Sequence, residues 1–135
     1  MAITLDPNRQ EVISAQVTIT YATLTSDIAA AEGVIQVPEG ARVVGGHINV
    51  TEVFDSTTSD ALDIGDGGDD DRYTATPIDL QAAGATALDV TGYTYTAQDN
   101  IDVEWTAGST GTATQGIAVI TVLYVVDGRA AFSEG

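Results

Sequence analysis

The chain has 135 residues, 44% of them apolar, with no cysteine and no lysine, and four arginines face twenty aspartates and glutamates for a formal net charge of −16. That length fits one domain, and the apolar content is enough for a packed core, which excludes a disordered chain. The charge excludes a phosphate-binding surface for nucleic acid and attachment to anionic lipid, and the missing cysteines exclude disulfides, thiolate metal sites and cysteine nucleophiles.

Fourteen of the acids are aspartate. A charge of this size repels itself and works against the compact state unless salt screens it. The Debye length is about 3 Å at ~1 M salt, against ~8 Å at physiological strength. The absence of lysine, with aspartate preferred to glutamate, reads as adaptation to a very salty medium. An ordinary acidic protein that binds cations or stays soluble would not need to lose lysine altogether. Met1 to Asp6 shows no basic and apolar leader, and no apolar run reaches the ~18 residues of a membrane span. The expectation is a chain made in the cytoplasm that stays out of membranes.

Valine and isoleucine number 14 and 11 against six leucines, and there are 19 threonines. β-Branched side chains fit a pleated surface better than a helix, so the pattern predicts an all-β protein. The first strand is expected over Val12–Leu24, where Val17, Ile19 and Tyr21 alternate with Thr18, Thr20 and Ala22. Ser26 to Gly33 reads either as one helical turn, capped by Ser26 or Asp27, or as a loop. Val34–Val37 is a short strand ended by the turn Pro38-Glu39-Gly40. Ala41–Phe54 is a long strand with a bulge or bend at Gly45-Gly46. Strands Ala61–Ile64 and Tyr73–Ile78 flank an acidic loop, Gly65–Arg72. Leu80–Gly92 reads as a bent connection with a short strand at Leu88–Val90. Ile101, Val103 and Trp105 alternate with Asp102, Glu104 and Thr106 in a half-buried strand. Ala107–Gly116 is a flexible loop. Ile117–Val126, apolar on both faces, is a central strand, ended by the turn Asp127-Gly128. About eight strands with turn signals every ten residues or so predict a single β-sandwich or jelly-roll-like domain over residues 1–135, with residues 1–11 and 130–135 as extended arms.

Little in the chain points to chemistry. The single histidine, His47, lies on a predicted strand and reads as a sheet residue. With no second histidine, no cysteine and no G-x-S-x-G elbow, no catalytic residue and no cofactor site emerges, and an enzyme is not expected. Asp63, Asp66, Asp69, Asp70 and Asp71 lie within nine residues, among glycines that let the backbone fold back. That is what a hard cation such as Ca²⁺ or Mg²⁺ needs, although the EF-hand spacing is absent. The same loop also reads as hydrated surface, with Arg72 forming a weak exposed pair to one acid. Asn49-Val50-Thr51 fits the N-glycosylation pattern by its three letters alone. Tyr93 and Tyr95 read as one face of a strand, and Trp105, the only tryptophan, offers no aromatic platform for sugar.

Several stretches in order carry a resemblance. They are Ser59–Asp66, Asp71-Arg72-Tyr73, Ala82–Leu88, Thr91–Tyr95, Ile101–Thr106 and Leu123–Ala130. Between about Val17 and Phe132 the chain resembles small head proteins of tailed viruses that decorate the capsid. No single motif is specific; the order carries the weight. The Asp66–Asp71 segment is longer and more acidic than the family's turn. The resemblance implies a β-sandwich on the capsid surface of the virion, bound to the major capsid protein and to itself as a homotrimer. With the acidic composition it implies a virus of a halophilic archaeon. The alternatives are another virion appendage (a turret, head-fibre base or tail component) and a surface carbohydrate-binding or adhesion module.

Overall fold

The structure is a computed structural model and describes residues 10–24, 31–108 and 113–126. Among these residues the β-branched stretches form eight strands: β1 (Ile13–Thr20), β2 (Glu32–Val37), β3 (Ala41–Glu52), β4 (Asp60–Asp66), β5 (Ile78–Asp79), β6 (Gly84–Ala87), β7 (Asp99–Ala107) and β8 (Ile117–Val126). One helical turn, α1 (Tyr21–Leu24), follows β1. The strands pair antiparallel in two sheets of four, ordered β1-β8-β3-β6 and β2-β7-β4-β5. The all-β sandwich expected from the sequence is therefore the fold.

Period-two alternation builds the core. In the first sheet Ile48, Val50, Ile120 and Val122 turn inward; in the second, Leu62, Ile64, Ile101, Val103 and Trp105 do so, and all lie in one buried cluster. Phe54 meets Trp105 edge to face, with ring centroids 5.5 Å apart. β8 is central, as its apolar run predicts, between β1 and β3. The Gly45-Gly46 bend is also present as a register shift in the β3–β8 ladder. Gly46 has φ +134°, and a Cβ there would lie 2.3 Å from the Thr121 carbonyl oxygen, so only glycine fits. Pro38-Glu39-Gly40 forms the expected turn, closed by the Ala41 N–H donating to the Pro38 carbonyl at 3.2 Å.

Several element expectations are corrected. Strand β1 stops at Thr20, not Leu24, because Thr20 and Thr23 close a reciprocal box. The Thr23 N–H donates to Thr20 Oγ1 at 3.2 Å and the Thr20 N–H to Thr23 Oγ1 at 2.9 Å. Such side-chain bonds favour a helix start over a ladder. Tyr73–Ile78 is no strand: a turn brings the Thr74 N–H to the Asp71 carbonyl at 3.0 Å, and Pro77 has no N–H, so pairing begins at Ile78. The short strand forms at Gly84–Ala87 rather than Leu88–Val90, because Leu88 leaves the edge to enter the core. Tyr93–Tyr95 is not a strand face but flanks one isolated bridge, Thr94 to Arg42. Residues Ser26–Ala30 of the alternative helical turn, the Asp127-Gly128 turn, residues 109–112 of the predicted loop and most of both arms lie outside the described residues.

Candidate functional site

Strand β4 places Asp60, Leu62, Ile64 and Asp66 on one inward row, so a carboxyl stands at each end of the core. Both are buried, at 1% and 3% exposure. For Asp66 this departs from the reading of its loop as hydrated surface.

Asp66 organises the acidic loop. Its Oδ1 accepts the N–H groups of Gly68 and Asp69, both at 3.0 Å. Arg72 reaches back with a fork, Nε to Oδ2 at 2.5 Å and Nη2 to Oδ1 at 3.1 Å. The Tyr95 hydroxyl donates to Oδ2 at 2.9 Å and lies 2.7 Å from the Tyr73 hydroxyl. The Arg72 guanidinium also sits 3.6 Å above the centre of the Tyr93 ring, which packs edge to face on Tyr95. With side-chain exposures of 15% and 1%, the Arg72–Asp66 pair is not the weak exposed contact expected from sequence.

Burial pushes the Asp66 carboxyl up, but the bonds from Arg72, Tyr95 and Gly68 outweigh it and hold it below the usual range. Burial pushes the phenols of Tyr73 and Tyr95 up, so both stay protonated and able to donate. The bond to Asp66 raises Arg72 further. A cation, two phenols and a carboxylate are thus mutually satisfied, and the cage pins the loop to β4.

Asp60 anchors the other end. Trp105 Nε1 donates to Oδ1 at 2.8 Å, while the Ser56 N–H and Gln81 Nε2 donate to Oδ2 at 2.9 and 2.8 Å. Gln81 Nε2 also donates to the Ser56 carbonyl at 2.9 Å. The Ser56 hydroxyl oxygen is buried and has no partner. Nothing at the level of motifs marked this network or the tyrosine cage. The signal available was positional: Asp60 and Asp66 fall on the inward parity of β4.

The five acids proposed for a cation do not converge. Asp66 is committed to Arg72 and the backbone. Asp63 points to the outer face of the sheet, near Thr74 Oγ1 at 3.5 Å. Asp69, Asp70 and Asp71 are exposed, with one carboxylate oxygen of each within 4.8 Å of the others. Asp71 is lifted by its neighbour Asp69. An open cleft of about 480 Å³ beside them is lined by residues that include Asp66, Asp69, Asp70, Asp102 and Glu104. His47 is exposed on the other sheet, away from this cluster.

The two outer faces differ in charge. On the second sheet, register and alternation turn Asp63, Asp79, Asp102 and Glu104 outward. Burial lifts Asp63 and Asp102, with Asp70 adding to the first and Asp99 to the second. On the first sheet the outward positions are Ser14, Gln16 and Thr18 of β1, Val119, Thr121 and Leu123 of β8, His47 and Asn49 of β3, and Ala85 and Ala87 of β6. No carboxylate stands among them. Arg42 lies at one end of this face, and Glu52 lies at the other, where it accepts the Gly116 N–H at 3.0 Å.

No protein-family model and no curated protein sequence matches the chain. Solved structures do match its fold. A chain of the capsid asymmetric unit of cyanophage Pam1 is similar at TM-score 0.65 and 21% identity, over 93% of this chain and 92% of that one. A chain of the acid-stable capsid of Helicobacter pylori bacteriophage KHP30 is similar at TM-score 0.61 and 16% identity, over 88% and 94%. A chain of the capsid of Ralstonia phage GP4 is similar at TM-score 0.60 and 16% identity, over 96% and 93%. At these identities the likeness is one of fold, end to end in each pair.

Proposed function

We propose that this chain is a structural protein of a virion, set on the capsid surface of a tailed virus as a decoration subunit. The observation that carries this reading is the shared two-sheet fold, which spans 88 to 96% of this chain and 92 to 94% of chains from three phage capsids. The polar groups inside the sandwich support it. Asp60 and Asp66 are spent on fixing loops, which suits a rigid building element. The partners in this reading are the major capsid protein and two further copies of the chain. A trimer offsets the loss of free motion on docking, since three weak contacts held together bind better than one. The lysine-free charge of −16 fits a particle that lives in brine, as a virus of a halophilic archaeon does.

A single-particle map of the purified virion tests the location. Density fitting this sandwich is expected around the local three-fold axes. Density at a vertex, fibre base or tail moves the chain to another appendage, and absence from the particle overturns the reading. The salt adaptation has its own test: the isolated chain is expected to unfold or aggregate below roughly 0.5 M salt, where screening no longer spans the ~4–10 Å between surface acids. Full folding at low salt overturns that part.

A further inference from the structure

We infer that the outer face of the first sheet is the surface through which one copy of this chain meets another. The inference rests on the reading of the chain as an assembling protein and says where the assembly contact lies. Each copy carries −16, so two copies approach closely only through surfaces where carboxylates do not meet. The outer face of the second sheet fails that condition at Asp63, Asp102 and Glu104. The outer face of the first meets it, among the described residues, between Arg42 and Glu52.

The composition of this face suits contact. Val119, Thr121 and Leu123 run down its centre on β8, and Val44 beside them is 41% exposed. Short side chains lose little rotamer freedom on burial, and a charge-depleted centre is the mark of an interface core. Its size is adequate. Four strands about 4.8 Å apart and roughly eight residues long cover ~500 Å², or about 1,000 Å² for a pair, near the lower bound for a specific contact. A neutral or basic partner would be free to take the acidic face; only a like-charged partner requires the carboxylate-free one, and a second copy is such a partner.

The test is sedimentation equilibrium of the purified chain in ~2 M NaCl, where exposed charges are screened. The unaltered chain is expected to associate. Gln16→Glu with His47→Asp, both at exposed positions of the first sheet, is expected to weaken association on the order of 100-fold, since a charge is then buried unpaired. Gln36→Glu with Thr106→Asp, at exposed positions of the second sheet, is expected to leave it unchanged. The chain has no cysteine, so Thr18→Cys and Thr106→Cys give a second measurement. A short bis-maleimide should join copies through position 18 and not through position 106. A chain that stays monomeric, or one that dissociates and cross-links by the second sheet instead, overturns the inference. Either result leaves the virion location to be decided by the particle map.

Discussion

Trp105 and Asp60, forty-five residues apart in sequence, meet in the core with the indole N–H donating to Oδ1 at 2.8 Å. The bond joins β7 to the start of β4, and the second carboxyl oxygen carries the loop after β3 through Ser56 and the turn after β5 through Gln81. Asp60→Ala leaves these buried donors unmatched, with an expected loss of about 3–5 kcal/mol. Asp60→Asn keeps one acceptor but faces an amide NH₂ toward other N–H donors, for about 2 kcal/mol. Denaturant unfolding at high salt, followed by the fluorescence of the only tryptophan, measures both. Equal, negligible losses would show that water replaces the carboxyl.

The Ser56 hydroxyl gives the opposite expectation. It is buried without a partner, so its desolvation is uncompensated. Ser56→Ala is expected to leave stability unchanged or to raise it by up to about 1 kcal/mol. A loss above that by the same assay would mean that the hydroxyl is bonded after all.

The fork from Arg72 to Asp66 depends on shape as well as charge. Lysine cannot make two parallel bonds and lie flat on Tyr93, so Arg72→Lys is expected to cost about 1–2 kcal/mol. Arg72→Ala leaves a buried carboxylate unpaired and is expected to cost about 3–5 kcal/mol. If lysine proves as good as arginine, the ring and the fork contribute nothing beyond charge.

Acid should act in two directions. Asp63 and Asp102 have raised folded pKa values, so the folded chain takes up protons first and stability rises as pH falls from neutral toward the unfolded value of ~3.9. Asp66 has a lowered folded pKa, so its contribution is full above ~3.9 and is lost as pH falls through the lower folded value. The expected Tm profile climbs on mild acidification and then drops. Asp63→Asn with Asp102→Asn should raise Tm at pH 7 and reduce the climb. A profile unaltered by the pair of changes would remove these two groups as its source.

Gly46→Ala should be among the most damaging small changes. Its Cβ would meet the Thr121 carbonyl at 2.3 Å, in a backbone conformation that alanine avoids. A loss of more than about 3 kcal/mol is expected. Normal stability would mean that the bulge relaxes without breaking the β3–β8 ladder.

Alternation made most of the sandwich readable in the sequence. Val17 and Ile19, or Ile101, Val103 and Trp105, point one way because a strand has period two. Where local hydrogen bonds compete with the ladder, that reading failed: the Thr20 and Thr23 side chains ended β1 early, and the backbone turn from Asp71 to Thr74 replaced a strand. The acidic loop was visible as a charge density, but its division was not. Asp66 turns inward while Asp69, Asp70 and Asp71 stay in water, and that depends on Arg72 of the same loop folding back and on Tyr95 reaching Asp66 from a separate segment of the chain. Asp60 was hidden for the same reason, since its partners are scattered between Ser56 and Trp105.

The place of β8 between β1 and β3 bears on how the chain is made. Roughly 100 residues separate β1 from β8, so at ~5–20 residues per second a ribosome leaves β1 unpaired for on the order of 5–20 s. Through that interval the Ile13, Val17 and Ile19 row has no partner strand, and β3 lacks its main neighbour. Biogenesis of this protein is therefore a race between synthesis of β8 and sticking of the waiting strands. A cell that slows translation, or lacks a holding chaperone, should recover less folded protein without any change in the stability of the finished fold.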